Sequence, residues 1–592
     1  MRIALIYPPP WKIPAPGEQP DRSGDGPPGP RLISANVDEG DFLEIPQGVL
    51  SLAAQAIRAG HDVKVLNLSN FAWRDVEAVI GNTPADLFGL SCFTANRRGA
   101  GLVAALIRRT HPTAHITVGG PHVTPLPVET LRHWPEVDTV VVGEGELTFL
   151  DLIGRLEAGL EAKGIAGTAW REGGEAVVGE PRDRIDGLDS LAAPLDYFPT
   201  HVLITSRGCP GRCTFCGSRS MWGSKVRFHS VDYVLRCIER AVREFGIRAL
   251  AIKDDSFTVK RDRAIAICRG IRERELRVLW ACDTRADMLD DELVREMRLA
   301  GCQRLSLGVE SGCPRILKAM RKNVTPEQVL EATRLAKRYG LEVRYYMILG
   351  SRGETDDTVE QTMSLSREGS PTGTSYSPLG IYPGTEEFEA LAAATGATTG
   401  MFFAGGDAVH YLHDIVPGGR KRMHRWWARC AKPQVGTRSA AECQSTLALL
   451  PGCAAAHLDL GGAYLREGKP DLAEDHIRRA MELGYPVPSI AFAYFGAIAL
   501  ARGSVDGLKA WYDEAMRADP APVVVVNYRA VQRWLAAGGP KSGKRLELVA
   551  GHPFAPSSVA SIQQPTAPGP IEIVDETGRR RTVGLHASPG HR

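Results

Sequence analysis

Three cysteines fall within eight residues, Cys209, Cys213 and Cys216, in the run TSRGCPGRCTFCGSR (205–219), spaced C-x-x-x-C-x-x-C. No other feature restricts the fold as sharply, because this segment must form a loop that gathers three thiolates. The 12 cysteines are otherwise thinly spread, which is not the density of a disulfide-stapled domain. In a reducing compartment a clustered trio reads as metal binding or redox chemistry. Three thiolates can hold three irons of a [4Fe–4S] cube and leave the fourth open to a chelating ligand. The competing reading is a structural zinc site of Cys3His type with His229 as fourth ligand. Cys237, Cys268, Cys302 and Cys313 are expected to be small buried hydrophobes.

The pattern around the trio is α/β. Ahead of it, apolar runs at Arg2–Tyr7, Val63–Leu68, Leu87–Ser91, Ile116–Val118 and Thr139–Val142 alternate with helical patterns, including Gln47–Ala59 and Ala100–Arg109. Short strands separated by helices predict a doubly wound, Rossmann-like domain over 1–185, with ligands at the carboxyl ends of the strands. A second alternation predicts strands at Val202–Ser206, Ala249–Lys253, Val278–Cys282, Arg304–Val309, Glu342–Ile348 and Ser375–Ile381. That makes a partial (β/α) barrel of about six units over 195–395, with the cysteine loop leaving its first strand. Residues 396–445 form a linker or accessory segment, in which His410, His413, His424, Trp426 and Trp427 read as a basic helix with an aromatic face. Over 446–540 the chain repeats with period 35: Gly461, Tyr464, Gly468, Ala473, Ile477 and Ala480 match Gly496, Ala499, Gly503, Leu508, Tyr512 and Ala515. This resembles the tetratricopeptide pattern of helix pairs, predicting a small all-α domain docked on the barrel or a partner. The tail, 541–592, is rich in Pro, Ser, Gly and His and is expected to be disordered.

The order of motifs after the trio resembles the radical S-adenosylmethionine (SAM) enzymes over about 200–390. KDDSF (253–257), GVESG (308–312) and MILGSRGET (347–355) resemble segments by which that family contacts SAM, and YPGT (382–385) resembles the closing turn common in one branch. The resemblance implies that Cys209, Cys213 and Cys216 ligate a [4Fe–4S] cluster whose open iron takes the amino and carboxylate groups of SAM. It makes Asp255, Glu310 and Gly350 candidate SAM contacts. Upstream, ADLFGLSCFTANRR, ITVGGPHVTPLP and VDTVVVGEGELTFLDLI (85–153) resemble the cobalamin-binding domain of one branch of that family. Ser91, Thr94, Gly119, Gly120 and Glu144 are then the candidate cobalamin contacts. D-x-H-x-x-G is absent, so no histidine is expected below cobalt, and His122 is expected to pack or hydrogen-bond. A flavodoxin-like domain holding another nucleotide, or nothing, is the alternative.

The resemblance implies a cobalamin-dependent radical SAM methyltransferase that modifies an unactivated carbon or phosphorus centre through a 5′-deoxyadenosyl radical and methylcobalamin. A cyclase or rearrangement enzyme with the same cofactors is the second reading. A repeat-based binding protein with a structural metal site is the third. Expected partners are a small-molecule or carrier-tethered substrate and an electron donor such as a flavodoxin or ferredoxin. The net charge of +2 gives no reason to expect nucleic acid or an anionic membrane. With no long apolar run or signal-peptide pattern, the expected location is cytoplasmic. No Ser/His/Asp order, Walker loop or H-E-x-x-H motif points to hydrolase or nucleotide triphosphatase chemistry.

Overall fold

The computed structural model describes residues 1–9, 45–404 except 70 and 72, 410–430 except 416, 438–542 except 519, and 546, 548, 572–574 and 580–582. The Pro/Gly-rich stretch at 14–30 and most of the tail therefore lie outside the described residues, although Glu572–Val574 pairs antiparallel with Arg580–Thr582. No described helix is long and apolar enough to cross a membrane.

The first sheet has seven strands: β1 (Arg2–Tyr7), β2 (Asp62–Asn67), β3 (Leu87–Ser91), β4 (His115–Gly119), β5 (Thr139–Val141), β6 (Thr168–Glu172) and β7 (Glu175–Val178). Their order is 2-1-3-4-5-6-7. The first five are parallel, and β6 and β7 add antiparallel strands at one edge. β1 shows why helices cover both faces. Ala4 and Ile6 enter a core with Val103 and Ile107, whereas Ile3 and Leu5 enter another with Leu50 and Phe149. A strand apolar on both faces must be covered twice, and this is the doubly wound arrangement expected.

The second sheet is parallel, with strands in sequential spatial order: β8 (Val202–Leu203), β11 (Ala249–Ile252), β12 (Leu279–Thr284), β13 (Cys302–Glu310), β14 (Glu342–Leu349) and β15 (Gly373–Pro378). The first strand is shorter than anticipated. Its continuation, β9 (Ser206–Arg207), leaves the sheet to pair antiparallel with β10 (Arg227–Phe228). The cysteine loop lies between these two ribbon strands.

Two charge clusters join the units. Arg207 and Arg227, opposite each other in the ribbon, reach Glu144 and Glu146 of the first domain. Arg207 bonds Glu144 at 2.9 Å and Glu146 at 2.6 Å, and Arg227 bonds Glu144 at 2.6 Å. All four side chains are buried, and Ser51 adds a hydrogen bond to Glu146. On the other side, Arg298 of the barrel helix Asp291–Leu299 is fully buried and paired with Asp459 of the helix Ala454–Arg466. The apolar core runs without interruption from Trp280 and Leu305 to Leu458, Ile477 and Tyr512.

The period-35 correspondence is a repeated packing contact. A Cβ on Gly461 would sit 2.6 Å from Ile477, and one on Gly496 would sit 2.9 Å from Tyr512, the residues that correspond in the repeat. The helix pairs Ala454–Arg466 with Pro470–Glu482 and Pro488–Ala501 with Val505–Arg517 close on these glycines. They dock on the barrel, as their small buried surface requires.

Two predictions test these joints. Arg207→Met leaves two carboxylates buried with one cation and should lower unfolding stability by about 3 kcal/mol, read by denaturant unfolding. Asp459→Ala strands a fully buried guanidinium and should cost a similar ~3 kcal/mol, while Arg298→Met with Asp459→Leu should recover most of that loss.

Candidate active site at the cysteine loop

Asp254 anchors the start of the loop. It is 3% exposed and accepts four hydrogen bonds from one turn of backbone: Thr205 N at 2.5 Å, Thr205 Oγ1 at 2.6 Å, Ser206 N at 3.1 Å and Ser206 Oγ at 2.7 Å. Burial pushes its carboxyl up, against those donors and the nearby Arg263 guanidinium. Arg263 also bonds the Thr205 carbonyl at 2.8 Å and the His229 carbonyl at 2.9 Å. The strand end that launches Cys209 is thus fixed by a buried acid and a buried base. Sequence reasoning chose the neighbouring Asp255, which is exposed and accepts a 2.7 Å bond from Ser218, in the loop just past Cys216.

Nine cysteines are buried, and Cys209, Cys213 and Cys216 are the three that are not. Backbone N–H groups point at two of the sulfurs, Gly211 to Cys209 at 3.4 Å and Ser218 to Cys216 at 3.5 Å, as thiolate ligands require. Phe215 and Ile348 pack on the cluster of Cys313, Ile316 and Met320 and on a second cluster that includes Leu126 of the first domain, giving the loop an apolar floor. The donor set fits an iron–sulfur cube, which needs one sulfur on each of three irons. The zinc alternative is corrected by His229. Its Nδ1 is 2.9 Å from Asp189, its ring stacks on Tyr233 at 3.8 Å, and burial lowers its pKa to about 4. Among the described residues no three His, Cys, Asp or Glu side chains converge as they would on a single ion.

The other barrel motifs surround this loop. Glu310, 7% exposed, ends β13 with φ +68° and bonds Lys322 at 2.8 Å. Gly350 follows β14 with φ +84°, and a Cβ there would lie 2.7 Å from Met423. Met423 and the buried Trp426 belong to the helix Gly419–Cys430, so the basic helix expected in the accessory segment covers the MILG turn. Glu354 closes that turn, accepting from the N–H groups of Gly350 and Ser351. Its other carboxylate oxygen is buried without a partner among the described residues, and burial raises the acid to about 7.

In the first domain, Ser91 and Gly119 sit side by side at the carboxyl ends of β3 and β4. Gly120 has φ +117°, and the space its missing Cβ leaves is filled by the Cys92 backbone, 2.6 Å away. That glycine shapes the strand end and does not open room for a ligand. Thr94 is buried and its hydroxyl lies 3.1 Å from His122 Nδ1. Glu144 is committed to Arg207, Arg227 and the Ile185 N–H. In the structure these three residues take part in building the domain and its joint. His122, fully buried with edge contacts to Phe402 and Phe403, packs and hydrogen-bonds as expected. Ser91 and Gly119 are the residues that would hold a corrinoid at this strand end, through a hydroxyl and a backbone without a side chain.

The loop after β4 meets the segment that follows the cysteine loop. A Cβ on Gly384, in YPGT, would be 2.9 Å from Pro125 of the GGPHVTPLP loop, and Thr124 bonds the Met221 sulfur at 3.8 Å. Sequence reasoning missed this interface, the Glu146–Arg207–Arg227 network, Asp254 and Glu354. The one available signal was parity, since Asp254 continues the buried face of Leu250 and Ile252.

A partial parallel barrel presenting a three-cysteine loop at its first strand defines an iron–sulfur enzyme of the radical SAM class, here with a Rossmann-like domain on its amino side. The chain belongs to the radical SAM superfamily, which it matches over residues 203–366, and it carries a B12 binding domain matched over residues 33–153. It is 33% identical over 357 residues to an uncharacterized methyltransferase of Pyrococcus horikoshii, covering 58% of this chain and 78% of that one. It is 27% identical over 324 residues to an anaerobic magnesium-protoporphyrin IX monomethyl ester cyclase of Rubrivivax gelatinosus, covering 52% and 58%. Its fold is similar to the radical SAM methyltransferase TsrM from Kitasatospora setae, with a TM-score of 0.53 and 18% identity over 67% of this chain and 76% of that one. The chain is thus an enzyme whose cofactors are a [4Fe–4S] cluster, SAM and cobalamin.

The Glu354 turn yields a pH prediction. A carboxyl whose pKa is higher folded than unfolded binds more protons when folded, so stability falls as pH rises from about 4.5 to about 7. Glu354→Gln, which keeps an acceptor without the charge, should flatten that fall. Melting temperatures measured from pH 5 to 8 should show the variant gaining on the parent as pH rises, and parallel curves would exclude the effect.

Proposed function

We propose that the enzyme is a cobalamin-dependent radical SAM methyltransferase that methylates an unactivated carbon or phosphorus centre. The observation that carries this reading is the contact between the loop after β4 and the segment just past the cysteine loop, where Pro125 and Ser220 both close on Gly384 and Thr124 bonds the Met221 sulfur. It supports a reading in which the loop leaving β4 of the B12 binding domain lies beside the cysteine loop. When bound, the cofactors supply the electron that cleaves SAM, the radical that opens the substrate and the methyl group that is handed over.

The chain's own part is positioning. Cys209, Cys213 and Cys216 hold three irons. Asp254 and Arg263 fix the loop root, and Phe215 with Ile348 and Met320 keeps water from the loop's inner face. Asp255, Glu310 and Gly350 line the SAM side, with Glu310 oriented by Lys322. Ser91 and Gly119 offer the corrinoid a hydroxyl and a bare backbone at the crevice of the parallel sheet. A small-molecule or carrier-tethered substrate enters between the units, and a flavodoxin or ferredoxin donates the electron. The tetratricopeptide-like helix pairs brace the barrel. The similarity to a cyclase favours one second reading: the same cofactors used for ring closure without methyl transfer.

Protein purified without oxygen is reconstituted with iron and sulfide, then incubated with hydroxocobalamin, reductant and methyl-labelled SAM. The expected result is protein-bound corrinoid carrying the labelled methyl by mass spectrometry. The triple variant C209A/C213A/C216A should retain less than a tenth of the iron. Intact cluster without retained corrinoid would end the methyltransferase reading. Labelled methyl on cobalamin that never reaches a genuine substrate would favour the cyclase.

A further inference from the structure

Two buried cations stand beside the cysteine loop, and neither belongs to the motifs already assigned. Arg285 is 8% exposed and Lys322 is 7% exposed. A single point, where a Cβ on Gly211 would sit, lies 3.4 Å from Cys209 Sγ, 3.5 Å from Arg285 Nη1 and 3.8 Å from Cys213 Sγ. Arg285 is held by Asp287 at 2.8 Å and by the carbonyls of Lys322 and Asn323 at 3.2 and 3.1 Å. Lys322 is held by Glu310 at 2.8 Å. Cys213 Sγ lies 3.9 Å from the carbonyl of Arg321, the residue just before Lys322.

The backbone between these cations is strained. Of the five non-glycine residues with positive φ among those described, Glu310 (+68°), Arg321 (+53°) and Asn323 (+51°) gather here. Each such conformation costs on the order of 1–3 kcal/mol and persists only where the surroundings over-determine it. In this strained turn the carbonyls of Lys322 and Asn323 accept from Arg285, and the Lys322 ammonium pairs with Glu310. Meanwhile the Met320 carbonyl takes the Thr214 N–H of the cysteine loop at 3.1 Å.

We propose that Arg285 and Lys322 are positioning residues for electron entry: two fixed positive charges that raise the reduction potential of the cluster held by Cys209, Cys213 and Cys216. The step is the transfer of one electron from a low-potential one-electron donor to the oxidised cluster. The donor is oxidised, the cluster gains one negative charge, and no bond forms or breaks in the protein. A positive charge a few ångströms away in a low-dielectric site favours the more negative, reduced cluster. Asp287 and Glu310 hold the cations in place and offset part of their field.

This rests on the cysteines being the cluster ligands, and failure of that reading would appear separately, as wild-type protein that binds no iron. The test uses reconstituted full-length protein without SAM, titrated with a low-potential mediator set and followed by electron paramagnetic resonance. Arg285→Met and Lys322→Met remove one charge each while keeping an apolar stem. Arg285→Lys keeps the charge. At equal iron content, the methionine variants should have lower potentials by roughly tenfold in the reduction equilibrium, about 59 mV for one electron, and Arg285→Lys should stay with wild type. A carboxamide at Asp287 (Asp287→Asn) should move the potential upward. Should one methionine variant fail to load iron, the other decides. Potentials unchanged in every iron-loaded neutralised variant overturn the proposal.

Discussion

Arg207 stands two residues before Cys209 and reaches into the first domain, where Glu144 and Glu146 enclose it together with Arg227. A buried charge without its partner costs several kcal/mol, so neither unit can bury its half of this network alone. The joint therefore does more than hold two domains together. It fixes the ribbon from which the cysteine loop springs, against the same stretch of chain that follows the parallel strands of the B12 binding domain. The ribbon and the first domain are thereby held to each other by four buried side chains.

Around that joint the structure separates rigid supports from reactive groups. Asp254 and Arg263 grip the loop root through backbone atoms, Phe215 seals its inner face, and the three cysteines stay accessible while the other nine are buried. The helical pairs continue the barrel core, and the Arg298–Asp459 pair ties them to it. The helix Gly419–Cys430 covers the Gly350 turn through Met423. Each addition braces one segment near the site. This suits chemistry in which the cofactors react and the protein orients them and excludes water.

Much of the architecture was legible because it depends on local pattern. The strand runs of both sheets, the helix ending at Gly60, the six parallel strands and the repeated glycine contacts of Gly461 and Gly496 follow from periodicity and small residues. The site was legible only where chemistry and spacing coincide, at the cysteine trio. Where a residue type has several uses, spacing does not show which one the fold employs. Glu144 became part of a salt bridge, Thr94 a partner of His122, and Gly120 a point of backbone contact with Cys92. Asp254 and Asp255 are adjacent acids, and only their opposite faces tell anchor from ligand-side group.

The sequence by itself determined the order of strands and helices, the class of metal site and the absence of a histidine motif for cobalt, because these reside in spacing along a few tens of residues. Tertiary structure decided which charges are buried together, which glycines accommodate backbone, and how the loop after β4 meets the segment that follows the cysteine loop. Those outcomes depend on partners distant in the chain: Glu144 and Arg207 are 63 residues apart, and Arg298 and Asp459 are 161 apart. Burial, not composition, gives such pairs their strength, and burial exists only once the chain has folded.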